Sequence, residues 1–381
     1  MSSKRLLQTV ARRKLLLLSF GVVCAPVAAH AQVPDLVNAF DSGGRALGMG
    51  SSNNVTGSET QSAYSNPAGL GYMTRAEIGV SVRNIPRNVS AVSGDISGAH
   101  SLSTTSTVGA TAWSHVGIAM PLKGRNGGTN GTFAVTYSTG GVDRDERVAD
   151  VNLAQNGSWV PSYHQSLSLQ NNFLSFAYGR SNGSQTFNWG VALLYAINHQ
   201  SNLLTGTATN TSFDAAAHGW GGLIGVQSAV SHDVTFGLSY RTAIDLKSES
   251  DTPLLYNKIP ARLTAGLAWR KEMGGEDFFV ASAEANHYFE GSRGQFFDSP
   301  AQTTYGLGLE YDFSTPFGQI PLRLGYNVIP SDGEDFGSRN TYTFGLGYRP
   351  ASSNWGVDVN FAKPANGGTD FGLNFLYRFG H

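Results

Sequence analysis

Cysteine is all but missing from this chain: there is one in 381 residues, Cys24. It sits in an N-terminal apolar run, so a chain starting after residue 31 has none. That excludes a disulfide framework, a thiolate nucleophile and a thiolate metal site. Long apolar runs are missing too. No stretch after Ala31 reaches 18 consecutive apolar residues, so no transmembrane helix is expected. Charged residues make up only 14%, and neither sign dominates. Five of the 26 basic residues (Lys4, Arg5, Arg12, Arg13 and Lys14) fall in the first 31 positions, which carry no acid. The rest of the chain has 21 basic and 27 acidic residues, a net charge of -6. No basic patch or tail remains to neutralise phosphates, which argues against a nucleic-acid partner.

What the chain does have is glycine, 47 residues or about 12% against a usual ~7%. It also has 21 Phe and 15 Tyr. Without a collagen-like period, this composition fits neither a disordered chain nor an ordinary cytoplasmic enzyme.

The first 31 residues have the form of an export signal. Lys4 to Lys14 make a basic head and Leu15 to Val23 an apolar stretch. Ala29-His30-Ala31 supplies the small-x-small pattern for cleavage, leaving Gln32 first. A membrane anchor is the alternative, but Pro26 breaks the run and it is shorter than the roughly 20 residues a span needs. A lipoprotein site would put a small residue before Cys24, where Val23 stands. Export without cysteine suits a bacterial envelope protein.

A membrane protein without apolar helices must close a sheet on itself, so apolar residues should recur with period two. They do. Phe371, Leu373, Phe375, Tyr377 and Phe379 alternate with Gly372, Asn374, Leu376 and Arg378. Tyr342, Phe344, Leu346 and Tyr348 alternate with Thr343, Gly345, Gly347 and Arg349. Tyr305, Leu307, Leu309 and Tyr311 oppose Gly306, Gly308 and Glu310, and the pattern runs back to Ile78, Val80 and Val82. A soluble β-sandwich also alternates. Aromatics at the ends of the apolar faces, with Gly, Thr, Ser, Asn and isolated charges on the other face, favour the membrane barrel.

Fifteen candidate segments can be marked, and an even count makes 162–170 and 172–180 the pair to merge. We therefore expect an all-β, transmembrane antiparallel β-barrel of fourteen strands, with twelve as the lower count. The polar spans 85–112, 141–160 and 200–213 read as exposed loops. The segments 232–246 and 258–271 read as two strands. Residues 32–74 do not alternate and are rich in Gly, Ser and Asn. Glycines packed around Leu47 and Met49 point to close backbone approach in a confined space, and Asn66-Pro67 forms a turn. The expected organisation is a signal peptide (1–31), an N-terminal luminal plug (32–74) and a barrel (75–381).

Asp41-Ser42-Gly43-Gly44-Arg45-Ala46-Leu47-Gly48-Met49-Gly50, followed by Tyr64-Ser65-Asn66-Pro67-Ala68-Gly69-Leu70, resembles the start of the FadL/OmpP1/TodX superfamily of outer-membrane transport proteins, including its PorV-like branch. The likeness continues through Gly237-Leu238-Ser239-Tyr240-Arg241 and Ile259-Pro260-Ala261-Arg262. It is seen again at Leu322-Arg323-Leu324-Gly325-Tyr326. Val55-Thr56-Gly57-Ser58-Glu59-Thr60 stands where the family commonly has an Ala-Asp-Asp-Ala-like run, the inserted surface helices of the superfamily are not evident, and Phe379 is followed by Gly380-His381.

The resemblance implies a plugged barrel in the bacterial outer membrane, surrounded by its lipids, that takes up hydrophobic solutes such as long-chain fatty acids or hydrocarbons. A PorV-like member would instead serve secretion or surface attachment beside a secretion-machinery protein. The residues expected to bind or gate are Arg45, Leu47, Gly48, Met49, Gly50, Asn66, Pro67 and Leu70. Arg45 has two readings: a bidentate bond to a carboxylate head group, or an ion pair with a wall acid such as Glu77, Glu310 or Asp358. Glu77, Arg83, Arg241, Arg262, Glu310, Arg323, Asp358 and Arg378 read as luminal scaffold charges.

No cofactor, metal or catalytic residue is expected. Gly179-Arg180-Ser181-Asn182-Gly183 fits G-x-S-x-G formally but reads as a hairpin turn between two strands. The nine histidines are scattered without zinc spacing, and Asp332, Glu334 and Asp335 read as a solvated turn rather than a calcium loop. A barrel lipid hydrolase, whose site need not show a local motif, is the remaining enzyme reading.

Overall fold

The structure is a computed structural model that describes residues 43–95, 101–124, 129–153, 158–182, 184–206, 210–250, 252–291, 301–330, 338–365 and 368–380. The expected leader, the start of the plug and the acidic turn at 332–335 lie outside the described residues.

Fourteen antiparallel strands form one closed barrel. In chain order they are β1 (Ala76–Asp95), β2 (Ser101–Lys123), β3 (Thr129–Leu153), β4 (Ser158–Ser181), β5 (Phe187–Gly206), β6 (Asn210–Ala229) and β7 (Val234–Arg241). There follow β8 (Arg262–Gly274), β9 (Asp277–Tyr288), β10 (Gln302–Thr315), β11 (Gly318–Ile329), β12 (Arg339–Pro350), β13 (Trp355–Pro364) and β14 (Asp370–Phe379). Each pairs with its neighbours in sequence, and β1 closes on β14 from Ala76↔Phe379 to Asn84↔Phe371. Closure removes the free sheet edge, the condition for strands to cross a membrane.

The period-two pattern sorts the faces as expected. Phe371, Leu373, Phe375 and Tyr377 lie exposed on the outer face, as do Leu307, Leu309, Phe344 and Leu346. Aromatic pairs girdle both ends of this apolar band. Tyr178–Trp189, Trp269–Phe279 and Tyr348–Trp355 lie toward the short turns. Tyr195–Trp220, Tyr240–Phe289 and Tyr326–Tyr342 lie toward the other end. Among the described residues no helix is long and apolar enough to cross a membrane.

Two expectations need correction. The region 162–180 is indeed one strand, but the spans read as exposed loops are largely strand as well. β1 and β2 stay paired to Asp95↔Ser101, β3 and β4 to Leu153↔Ser158, and β5 and β6 to Thr205↔Asn210. Nine to eleven residues suffice to cross the apolar layer. Beyond it backbone pairing continues while the apolar/polar alternation of the sequence disappears.

The segments 232–246 and 258–271 also end differently. β7 stops at Arg241 and β8 starts at Arg262, and the chain between them folds inward as a strap (242–261). The hairpin reading of Gly179-Arg180-Ser181-Asn182 agrees with the structure: Ser181 ends β4, and Asn182 caps the tight turn into β5 by accepting from Thr186 N at 2.9 Å.

Candidate functional site

Residues 43–73 fill the bore. Their regular pieces are short: α1 (Gly44–Gly48), α2 (Ser62–Ser65) and a 3-10 turn (Pro67–Tyr72). Asn66 organises that turn. Its Oδ1 accepts from Ala68 N at 3.1 Å, Pro67 takes the first helical position where no N–H is needed, and Asn66 Nδ2 donates to Asn54 O at 2.9 Å.

The inward glycines of the wall make room for this plug. Gly306, Gly308 and Gly325 lie against the backbone of Met49 and Gly50, and Gly345 lies against Gly48. A methyl group at Gly325 would overlap Gly50 N, so glycine is required there on the wall side. Gly50 has φ +62°, the left-handed region that favours glycine, so it is required on the plug side too. Thr343 locks the contact by accepting from Gly50 N at 3.0 Å and donating to Gly48 O at 3.1 Å. Met49 and Leu70 are fully buried, and Leu47 packs toward Gly372.

Arg45 forms an ion pair with a wall acid. Its Nε donates to Glu310 Oε2 at 2.8 Å, its Nη2 to Oε1 at 2.5 Å, and its Nη1 to Thr56 O at 2.7 Å. Burial alone would lower the pKa of this guanidinium, but Glu310 more than reverses that and holds it above its ordinary value. The charges continue along the wall. Arg323 bonds Glu310 at 2.5 Å and Asp358 at 2.8 Å, and Arg349 bonds Asp358 at 2.7 Å. Alternating signs let each buried charge be paired and hydrogen-bonded, without which burial would be costly.

The other expected luminal charges also have partners. Glu77 accepts from Arg378 at 3.0 Å and from the plug's Thr60 N at 3.0 Å. Thr60 is gripped a second time by His115, whose Nε2 lies 3.0 Å from its hydroxyl. Arg83 pairs with Asp370 at 2.7 Å. Arg241 donates to the Tyr64 hydroxyl at 3.1 Å, and Arg262 lies over the Tyr64 ring. Several wall contacts were not among the residues singled out in the sequence. Besides His115, they include Glu284, which accepts from Asn54 N at 2.7 Å, and Gln227, which donates to Asn54 O at 2.8 Å.

Toward the long-loop end, Tyr64 packs on Phe173 with ring centroids 5.1 Å apart. There the plug meets the strap in one apolar cluster with Leu194, Leu223, Ile244 and Ile259. Gly219 and Gly221 of β6 leave space for Ile244, so the strap lies on the inner face of the wall. At the short-turn end, a cavity of about 420 Å³ opens below the plug, lined by charged residues such as Arg45, Glu59, Glu310 and Arg323 and by apolar ones such as Val55, Phe278 and Val280. Among the described residues no group of three His, Cys, Asp or Glu could hold a metal ion.

No protein-family model and no curated protein matches this sequence. Solved structures do match. A Pseudomonas aeruginosa FadL homologue aligns with a TM-score of 0.56 at 12% identity, covering 92% of this chain and 100% of that one. The Ralstonia pickettii toluene transporter TbuX gives 0.56 at 14% identity, covering 90% and 100%. The CymD monoaromatic hydrocarbon channel gives 0.53 at 13% identity, covering 90% and 99%. Over nearly its whole length the chain therefore shares the barrel fold of these FadL-like and hydrocarbon-channel structures.

Proposed function

We propose that the protein is an outer-membrane channel for passive uptake of hydrophobic solutes such as long-chain fatty acids or hydrocarbons, gated by its N-terminal plug. The observation that carries this reading is the apolar cluster where plug and strap meet inside an otherwise polar bore. Keeping apolar surface in water costs about 25 cal/mol per Å², so a greasy solute gains little from a water-filled pore and much from such a lining. Hydrogen bonds, ion pairs and apolar packing, all non-covalent, hold the described plug residues to the wall, so they can shift without breaking a covalent bond. The solved relatives in fold are described as FadL homologues and as toluene or monoaromatic hydrocarbon channels, which supports the same class. In this reading residues 1–31 are removed after export, 32–74 form the plug and 75–381 the barrel. The short turns face the periplasm, and outer-membrane lipids surround the apolar band.

The test is flux into liposomes carrying the purified protein. Toluene and oleate should enter, while sugars, stopped by the plug, should not. Ser52 Oγ and Ser282 Oγ lie 2.8 Å apart, so a Ser52→Cys/Ser282→Cys pair can tie the plug to β9. Oxidising that pair should stop solute entry and reduction should restore it. Absence of hydrophobic flux, together with a stable complex with a secretion-machinery protein, would replace this reading with the secretion-accessory one.

A further inference from the structure

The strap carries a tyrosine whose hydroxyl sits among amides of the wall. Tyr256 donates to Asn171 Oδ1 at 2.9 Å and accepts from the side-chain amide of Asn198. Gln200 holds the strap backbone beside it: Oε1 accepts from Leu255 N at 2.7 Å, and Nε2 donates to Tyr256 O at 2.7 Å. The ring lies in an apolar slot with Leu169, Phe213 and Leu255.

Two features distinguish this arrangement from an ordinary buried tyrosine. First, the amides are bonded to each other as well as to Tyr256. Asn198 Nδ2 donates to Asn171 Oδ1 at 2.7 Å, and Gln200 Nε2 donates to Asn198 Oδ1 at 2.8 Å. The cradle is therefore preorganised and keeps its shape when the hydroxyl leaves. Second, the occupant belongs to a lightly tied segment. Among the described residues the backbone ladder from strap to wall is one short piece, Lys247–Ser248 with Ala217–His218, while Ile244–Asp245 with Lys258–Ile259 pairs the strap with itself. The neighbouring wall strands β6 and β7 pair continuously from Leu223↔Arg241 to Ala229↔Thr235.

The cradle presents one acceptor and one donor to a single oxygen, at the end of an apolar slot. That is the complement of a neutral phenol. A carboxylate brings no proton for the Asn171 oxygen, and a plain hydrocarbon replaces neither of the bonds that Tyr256 gives up to Asn171 and Asn198, a loss that polar sites discriminate against. Burial raises the pKa of the Tyr256 phenol, so the same surroundings also disfavour a phenolate.

We propose that Asn171, Asn198 and Gln200 form a binding site for small neutral phenols inside the bore, with Tyr256 occupying it until a solute takes its place. The inference rests on the channel reading and narrows it to a substrate class. On exchange, the incoming hydroxyl makes the two bonds that Tyr256 gives up, so the swap leaves no buried amide unsatisfied.

The test uses the full-length protein and p-cresol as probe, with toluene and oleate as comparison solutes. Calorimetry on the detergent-solubilised protein reads the site without transport. Wild type should bind p-cresol at least tenfold more tightly than toluene, and Asn171→Leu and Asn198→Leu should erase that margin. Tyr256→Phe removes the internal competitor's hydroxyl while keeping its ring, so it should tighten p-cresol binding. This variant decides the matter if the amide variants fail to fold.

In liposomes, an Ala217→Cys/Ser248→Cys pair fixes the strap to β6 across a position where the two residues are ladder partners. Oxidised, it should block p-cresol entry, and reduced it should allow it. Equal binding of p-cresol and toluene by wild type, or weakened p-cresol binding by Tyr256→Phe, overturns the phenol site while toluene flux still upholds the channel. If no hydrophobic solute crosses at all, the channel reading fails, and calorimetry still decides the site on its own.

Discussion

Arg45 of the plug and Glu310 of β10, 265 positions apart in the chain, face each other in a two-pronged ion pair at 2.5 and 2.8 Å. Glu310 is shared with Arg323, whereas among the described residues Arg45 bonds no second acid and reaches the carbonyl of Thr56 instead. The two ends of the pair should therefore respond unequally. Glu310→Ala strands the Arg45 guanidinium and leaves Arg323 with Asp358 alone, and is expected to cost about 3–5 kcal/mol, in the range found for breaking buried pairs. Arg45→Ala leaves Glu310 with Arg323 and should cost less. Both variants should raise ion conductance in planar bilayers as the plug loosens. Unfolding in denaturant and a double-mutant cycle give the energies, and equal costs at the two positions would contradict the shared geometry.

The meeting of Gly50 with β11 makes a second prediction, and Gly275 supplies its control. Both residues have left-handed backbone, φ +62° and +64°. An added Cβ at Gly275 meets nothing within 4 Å, whereas at Gly50 it would overlap the carbonyl of Leu307 and the backbone of Tyr326. Gly275→Ala should cost about 1 kcal/mol from backbone conformation alone. Gly50→Ala should cost about 1–3 kcal/mol more, from overpacking, and should leak ions. Similar unfolding midpoints for the two variants would show that the plug does not press on the wall there.

The barrel was legible in the sequence because a membrane imposes a periodic constraint: Phe371, Leu373, Phe375 and Tyr377 can face lipid only by alternating. The plug was legible because Gly48-Met49-Gly50 and Asn66-Pro67 carry local backbone chemistry. For Arg45 the sequence left a ligand carboxylate and three wall acids open. Choosing Glu310 depends on which wall residues share the plug's level, a property of the closed register and not of any local motif. The strap was missed for a related reason. Thr252-Pro253-Leu254-Leu255-Tyr256 reads like the turn of a hairpin between two alternating strands. Its inward course follows from wall features such as Gly219, Gly221 and Gln200, dozens of residues earlier in the chain.

Depth in the apolar band can be probed at Leu309. It lies on the outer face between Tyr311 and Tyr305, opposite Leu324 of β11, while Val230 lies exposed in the turn after β6. Arginine near the middle of the band costs about 2–4 kcal/mol and near its edge about 0–1 kcal/mol. Leu309→Arg should therefore impair folding into phospholipid bilayers far more than Val230→Arg does. Equal folding yields in bilayers, measured by heat-modifiable electrophoretic mobility, would argue that this face does not contact lipid.

Tyr256 gives the strap a pH dependence of defined sign. Burial raises its pKa, an effect that its hydrogen bonds to Asn171 and Asn198 only partly oppose. A group whose native pKa lies above its unfolded value stabilises the native state fully below the unfolded value, here about 10. That contribution is lost as pH rises from there through the higher native value, because the phenolate must leave the amide slot. The strap should thus stay seated through neutral and mildly alkaline conditions and detach only in strong base. Tyrosinate absorbance followed against pH should show one group titrating later than the exposed tyrosines, and that group should vanish in Tyr256→Phe. If detachment, reported by a fluorophore on Ser248→Cys, instead begins well below pH 10, the phenol is not what anchors the strap.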